Sequence, residues 1–213
     1  MAQILNYKFL VIIILLCLGI LSSYSLPPYN YFFINFFTFP FLFYILVINL
    51  DRNLINNFLI GWFYGFGYFL SSLYWISNSL KFDENFEKLI ILSIIFIPFL
   101  LSMFYGLFTY SLKFLNIKMN FSSILIFSLT FSIFEYLRGS ILGGFPWNLI
   151  LFSLVNFINS LQILSVIGTY SLNLLVITFY TLPIIIFFRI SKIEKSIVLL
   201  SAILILFSNM YYG

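Results

Sequence analysis

Long apolar runs separated by short polar breaks make up nearly the whole chain. Cutting at charges and at polar or Pro-rich clusters leaves Phe9–Ser22, Phe32–Leu50, Phe58–Ser77, Leu89–Leu112, Phe121–Leu137, Leu161–Phe188 and Ser196–Asn209. A helix that crosses a hydrocarbon core of about 30 Å needs about 20 apolar residues, so the pattern predicts about seven transmembrane helices. The first and last stretches are short. The sixth is long and carries Pro183, which predicts a kink or an early end.

The breaks between these stretches are brief. Leu26-Pro27-Pro28-Tyr29-Asn30 is a stiff turn, because two prolines fix φ and donate no hydrogen bond. Asp51-Arg52-Asn53 is a tight polar link. Lys81 to Lys88 carries Asp83, Glu84 and Glu87 and reads as a solvated acidic loop. Lys113 to Asn120 and Arg189 to Lys195 are basic. Gly139 to Asn159 reads as a longer uncharged connection. The predicted fold class is all-α: a polytopic membrane helix bundle with no domain-sized soluble insertion.

Composition agrees with the pattern. Of 213 residues, 63% are hydrophobic and 8% charged, against about 25% charged in an ordinary soluble domain. The mean hydropathy is +1.13. A soluble fold of this size cannot hide so much apolar side chain. The charge distribution then sets an orientation. With the N-terminus cytoplasmic, Lys8, Arg52, Lys113, Lys118, Arg189, Lys192 and Lys195 lie on the cytoplasmic side, against Lys81, Lys88 and Arg138 elsewhere. An odd number of spans would deliver the C-terminus to the far side.

Several chemistries are closed off. The chain has no His, which removes His-based general bases and His metal sites. Its one cysteine, Cys17, lies mid-helix among apolar residues and reads as a core or lipid-facing side chain. No metal site, no cofactor and no nucleic-acid partner is expected. The net charge of +4 comes from residues scattered singly at helix ends.

The densest polar signal is Glu135-Tyr136-Leu137-Arg138-Gly139, followed by Gly143-Gly144-Phe145-Pro146-Trp147. Glu135 and Arg138 are three apart, share a helix face and can pair. Charges inside a span either pair or face a wet cavity. Gly144 loosens the backbone, Pro146 ends any helix, and Trp147 is left where an amphipathic ring suits the membrane interface. These residues suit a helix-end ion pair with a turn, and equally a loop that contacts a lipid headgroup or substrate. Gly61 and Gly65 form a small-xxx-small pair suited to close helix packing, and Trp75 reads as a second interfacial anchor.

This loop carries a resemblance. Glu135, Leu137, Arg138, Gly139, Gly144, Phe145, Pro146 and Trp147 match the Glu-x-Leu-Arg-Gly and Gly-Phe-Pro-Trp elements of bacterial apolipoprotein N-acyltransferases. Pro28-Tyr29, Ile60-Gly61, Gly65-Phe66-Gly67, Phe69, Trp75, Gly168 and Asn173-Leu174 extend the likeness in the right order. The chain resembles the N-terminal membrane module of that family. The resemblance implies a nitrilase-like domain on the far side of the membrane. A Glu-Lys-Cys triad there takes an acyl chain from a phospholipid donor and passes it to the N-terminal diacylglyceryl-cysteine of an apolipoprotein.

No such triad can be assigned within residues 1–213, so no catalytic residue is expected here and the chain alone is expected to be inactive. By the resemblance, Glu135, Arg138, Gly144, Phe145, Pro146, Trp147 and Trp75 line or brace the entry for substrate. The implied partners are the phospholipid acyl donor, the apolipoprotein, membrane lipids and a nitrilase-like domain, which could be separately encoded. The implied location is the bacterial cytoplasmic (inner) membrane. A non-catalytic membrane scaffold and a small transporter are the alternatives. A transporter would need more intramembrane polar residues along a path than Glu135 and Arg138.

Overall fold

The structure, a computed structural model, describes residues 2–49, 53–82, 88–141, 147–189, 191, 193–196 and 200. Asp83, Glu84, Glu87, Gly143, Gly144, Phe145 and Pro146 lie outside the described residues, as does nearly all of the last predicted stretch, Ser196–Asn209.

Among the described residues the protein is all-helical, without strands. Helix α1 spans Ala2–Ser23, and a 3-10 turn over Phe32–Ile34 leads into α2, Asn35–Asn49. Helix α3 covers Leu54–Leu73 and passes into a 3-10 run over Tyr74–Phe82. Helices α4 (Ile90–Leu112) and α5 (Phe121–Ile141) follow. A 3-10 turn over Ile150–Leu154 then precedes the short α6 (Ile158–Leu161) and α7 (Leu164–Ile167), and α8 spans Thr169–Thr181 with a 3-10 continuation over Leu182–Phe187. Among the described residues, four segments are long and apolar enough to cross a membrane: Phe32–Asn49, Ile90–Leu112, Phe121–Ile141 and Thr169–Phe187. With no hydrophobic solvent effect to drive helices together in lipid, their association depends on close packing and interhelical hydrogen bonds.

Helix α3 is the centre of that packing, against α4 on one side and α1 on the other. Glycines make both contacts possible. A Cβ on Gly61 would meet the Tyr105 carbonyl and the Thr109 hydroxyl of α4, and one on Gly65 would press the Tyr105 side chain at 2.9 Å. The expected Gly61/Gly65 packing pair is thus present. A Cβ on Gly67 would strike the Leu16 carbonyl, and one on Gly19 the Tyr64 carbonyl, so α1 and α3 exchange glycines. Thr109 ties α4 to α3: its hydroxyl donates to the Asn57 carbonyl at 2.7 Å and accepts from the Gly61 amide at 3.2 Å. Aromatic rings fill the space behind these contacts. Tyr64, Tyr68, Tyr105, Phe39, Phe108 and Phe131 are all buried. The outside is apolar too: Ile91, Leu92, Ile95 and Phe96 of α4 are exposed, as is Cys17 of α1.

The structure corrects four boundaries. The third stretch begins earlier than Phe58, because the Asn53 side chain caps α3 by accepting from the Ile55 amide at 3.1 Å. The same stretch does not remain α-helical to Ser77, since the 3-10 run starts at Tyr74. The fifth helix continues past Leu137 to Ile141, which places Glu135 and Arg138 inside its last two turns. The sixth stretch is not one helix from Leu161 to Phe188. Gly168 interrupts it at φ 79, ψ 165, a backbone region essentially reserved for glycine. Pro183 sits at the start of the 3-10 continuation.

The predicted uncharged connection Gly139 to Asn159 also contains core. Leu149, Ile150 and Leu151 are fully buried, and the Asn173 side chain of α8 accepts from the Leu151 amide at 3.0 Å. An apolar 3-10 turn can enter the core because a side chain satisfies a backbone group it leaves open.

Candidate functional site

Helices α1, α3 and α5 end on the same side of the bundle, and the polar residues singled out in the sequence gather there. Glu135 and Arg138 are both fully buried and form an ion pair across one helical turn. Arg138 Nε donates to Glu135 Oε2 at 3.1 Å, and Nη2 donates to the same oxygen. The guanidinium also lies 5.2 Å from the centre of the Phe69 ring, which shields it from below. Burying both charges is costly, and the pair is tolerable only because the guanidinium fork is used well.

Nη2 also reaches beyond the helix, donating to the Trp147 carbonyl at 3.2 Å. The pair therefore holds the chain that returns after Pro146. A second hold comes from α3. The Tyr68 hydroxyl donates to the Asn148 carbonyl at 2.6 Å, and the Asn148 side chain donates to the Ser72 carbonyl at 3.2 Å. Asn148 has φ 60, a left-handed conformation that asparagine tolerates better than most residues.

With its backbone held on both sides, Trp147 stacks on Trp75, the ring centres 5.7 Å apart and the planes 21° from parallel. The Trp75 indole donates to the same Ser72 carbonyl that Asn148 uses, at 3.0 Å. Both indoles are about half exposed, and both line an open cavity of about 740 Å³. Its other walls include Leu26, Pro27, Pro28 and Tyr29 of the first turn, Tyr74 of α3's continuation and Phe152, with Ser23, Ser71, Ser72 and Asn148 as its polar members. Among the described residues, no charged side chain lines it. The result is an apolar, aromatic-walled groove with an ion pair buried directly behind it.

The structure thus brings Glu135, Arg138, Trp147 and Trp75 together. Gly144, Phe145 and Pro146, expected in the same loop, lie outside the described residues. Sequence reasoning missed Tyr68, Asn148 and Ser72, which hold the loop, and Phe152, which walls the groove. The available signal was weak: Asn148 directly follows Trp147 and suits a left-handed turn, but nothing local points to Tyr68. Reasoning also missed a buried polar cluster beside the groove. Asn35 Oδ1 accepts from Ser22 at 2.7 Å and Thr38 at 3.3 Å, while its amide donates to Ser25 at 2.8 Å. An asparagine and a threonine inside an apolar run were the visible clue, since such groups must pair within the bundle.

Comparison with known proteins bears on the same residues. A family model described as the apolipoprotein N-acyltransferase N-terminal domain matches residues 18–182. The chain is 33% identical over 175 residues to an apolipoprotein N-acyltransferase of Rhodopseudomonas palustris, an alignment covering 80% of this chain and 32% of that protein. It is 31% identical over 173 residues to one from Allorhizobium ampelinum (78% and 33% covered) and 30% identical over 173 residues to one from Brucella melitensis (78% and 32%). The chain spans about a third of the length of these curated relatives.

Proposed function

Because the chain belongs to the apolipoprotein N-acyltransferase family through its N-terminal domain, we propose that it is the membrane module of such an enzyme. The reaction it serves moves an acyl chain from a phospholipid to the α-amino group of the diacylglyceryl-cysteine that begins an apolipoprotein. The chemistry belongs to a nitrilase-like domain, joined to this module or supplied as a separate chain. These residues carry no histidine, and the one cysteine, Cys17, faces outward from mid-helix. The module by itself transfers nothing; it holds the catalytic domain at the bilayer and admits lipid substrates laterally.

The observation that carries this reading is the groove. Its walls are apolar and aromatic, it opens at the end of the bundle where α1, α3 and α5 finish, and Trp75 and Trp147 form one side. Such a wall suits acyl chains entering at interfacial depth, where indole rings are favoured. Glu135 and Arg138 brace it through the Trp147 carbonyl. Gly144, Phe145 and Pro146 complete the loop in this reading.

The module crosses the bacterial inner membrane about seven times with its N-terminus in the cytoplasm, as the basic residues favour. The long apolar helices support a multi-pass protein. A further helix start supports a last span. The Ser191 amide donates to Glu194 Oε2 at 2.8 Å and the Glu194 amide donates to the Ser191 hydroxyl at 3.1 Å, a reciprocal capping box that opens a helix at residue 193. The Ser191 amide and hydroxyl also hold the Glu194 carboxyl below its usual range.

Complementation tests the proposal. The chain is expressed with and without a separately encoded nitrilase-like domain in cells depleted of their own N-acyltransferase, and lipoprotein N-acylation is followed by mass spectrometry. Acylation is expected only with both pieces. Acylation by this chain alone would overturn the division of labour, and none with both would reject a working module.

A further inference from the structure

We propose that Tyr68 is a positioning residue for the groove: its hydroxyl docks the Trp147–Asn148 backbone onto α3 and thereby sets the Trp147 ring against Trp75. Three fully buried tyrosines, Tyr64, Tyr68 and Tyr105, stack in the core between α3 and α4. Of the three, Tyr68 reaches the loop: its hydroxyl donates to the Asn148 carbonyl at 2.6 Å, whereas the Tyr105 hydroxyl lies toward Glu135 and the Tyr64 hydroxyl toward Ser22 and Thr38. A buried phenol is therefore spent on one backbone oxygen, eighty positions away in the chain.

The position of that oxygen explains the consequence. The residue before it is Trp147, whose carbonyl is held by Arg138 from α5. The residue carrying it, Asn148, donates its side chain to the Ser72 carbonyl, which also accepts from the Trp75 indole. Tyr68 and Ser72 are four apart and lie one above the other on the same face of α3. One helix face thus grips the loop at the Asn148 carbonyl and side chain and orients Trp75 as well. Releasing the Tyr68 bond leaves Asn148 held to α3 through its side chain on the Ser72 carbonyl, a weaker grip that lets the Trp147 ring shift in the stack and alter the groove. The structural half of the inference stands alone; its effect on lipid rests on the function proposed above.

The test uses the full chain in nanodiscs of phosphatidylethanolamine and phosphatidylglycerol. Trp62 is replaced by Phe so that only Trp75 and Trp147 report. The first readout is the exciton couplet of the stacked indoles in circular dichroism, with Trp75→Phe as the baseline without a pair. A hydrogen bond of ordinary net strength holds the docked state by about two- to tenfold, so Tyr68→Phe is expected to lower the docked-to-free ratio by that factor. Tyr64→Phe, equally buried and away from the loop, is expected to keep the couplet. A full couplet in Tyr68→Phe, or an equal loss in Tyr64→Phe, would overturn the proposal.

Asn148→Gly keeps the left-handed backbone and removes only the bond to Ser72, so it is expected to lose part of the couplet. It decides the case if Tyr68→Phe does not fold, and an undiminished couplet there would count against the docking. The second readout is quenching of the indoles by brominated phosphatidylethanolamine, which is expected to change in Tyr68→Phe and not in Tyr64→Phe. If brominated lipid quenches neither indole even in the parent, the lipid reading of the groove fails, while the couplet still decides the role of Tyr68.

Discussion

Arg138 does three things with one planar group: it neutralises Glu135, covers Phe69 and holds the Trp147 carbonyl. Removing either partner leaves an uncompensated buried charge, so Glu135→Gln and Arg138→Gln are each expected to cost about 3–5 kcal/mol in detergent unfolding titrations. The double variant leaves no orphaned charge and should fall short of the sum by about 0.5–3 kcal/mol. Strict additivity would show that the two act separately. Lysine at 138 keeps the charge but lacks the fork that reaches a carboxylate and a carbonyl together, so Arg138→Lys should recover only part of the loss. The pairing of these residues was readable from their spacing of three. Their hold on Trp147 was not, because it depends on where the chain returns after residues that no local pattern places.

At the scale of the element, glycine does two unlike things here. Gly61 is small because α4 passes against it, and a methyl group there would be driven into the Tyr105 carbonyl and Thr109 hydroxyl. Gly61→Ala is expected to destabilise by about 1–3 kcal/mol through overpacking, read as a lower midpoint of thermal unfolding in micelles. Gly168 has nothing near its missing Cβ, yet its φ of 79 excludes other residues. Gly168→Ala should therefore also cost about 1–3 kcal/mol, entirely through backbone strain. A neutral Gly61→Ala would mean that α3 and α4 can move apart without loss. The first role was legible as a small-xxx-small spacing. The second was hidden inside a continuous apolar run, where hydropathy gives no sign that a helix stops and restarts.

For the whole molecule, the ends of α1, α3 and α5 lie together around the groove, with the first turn, Trp75 and Trp147 on one rim. Reporter fusions or single-cysteine labelling at Tyr29 and Trp147 should therefore report one side of the membrane, and positions Asn53 and Leu115 the other. On the proposed orientation, with the N-terminus cytoplasmic, the first pair is expected outside the cytoplasm. Opposite sides for Tyr29 and Trp147 would refute the arrangement, while the reverse sign for both pairs would refute only the orientation.

The sequence by itself determined that the protein is helical and built for lipid, which family it belongs to, and that Glu135 and Arg138 can pair. Helicity and the fit to lipid follow from length and composition, the pairing from spacing, and the family from the resemblance of its Glu-x-Leu-Arg-Gly and Gly-Phe-Pro-Trp motifs, none of which needs knowledge of how helices meet. Only the tertiary structure decided which face of each helix turns inward, that residues 149–154 belong to the core, and that Tyr68 reaches Asn148. The physical reason is that these helices are apolar on every side. In water, polarity marks the face that must stay outside. In a chain made for lipid both faces are greasy, so the inward face is selected by glycine clearances and by where scattered hydroxyls and amides find partners on distant segments.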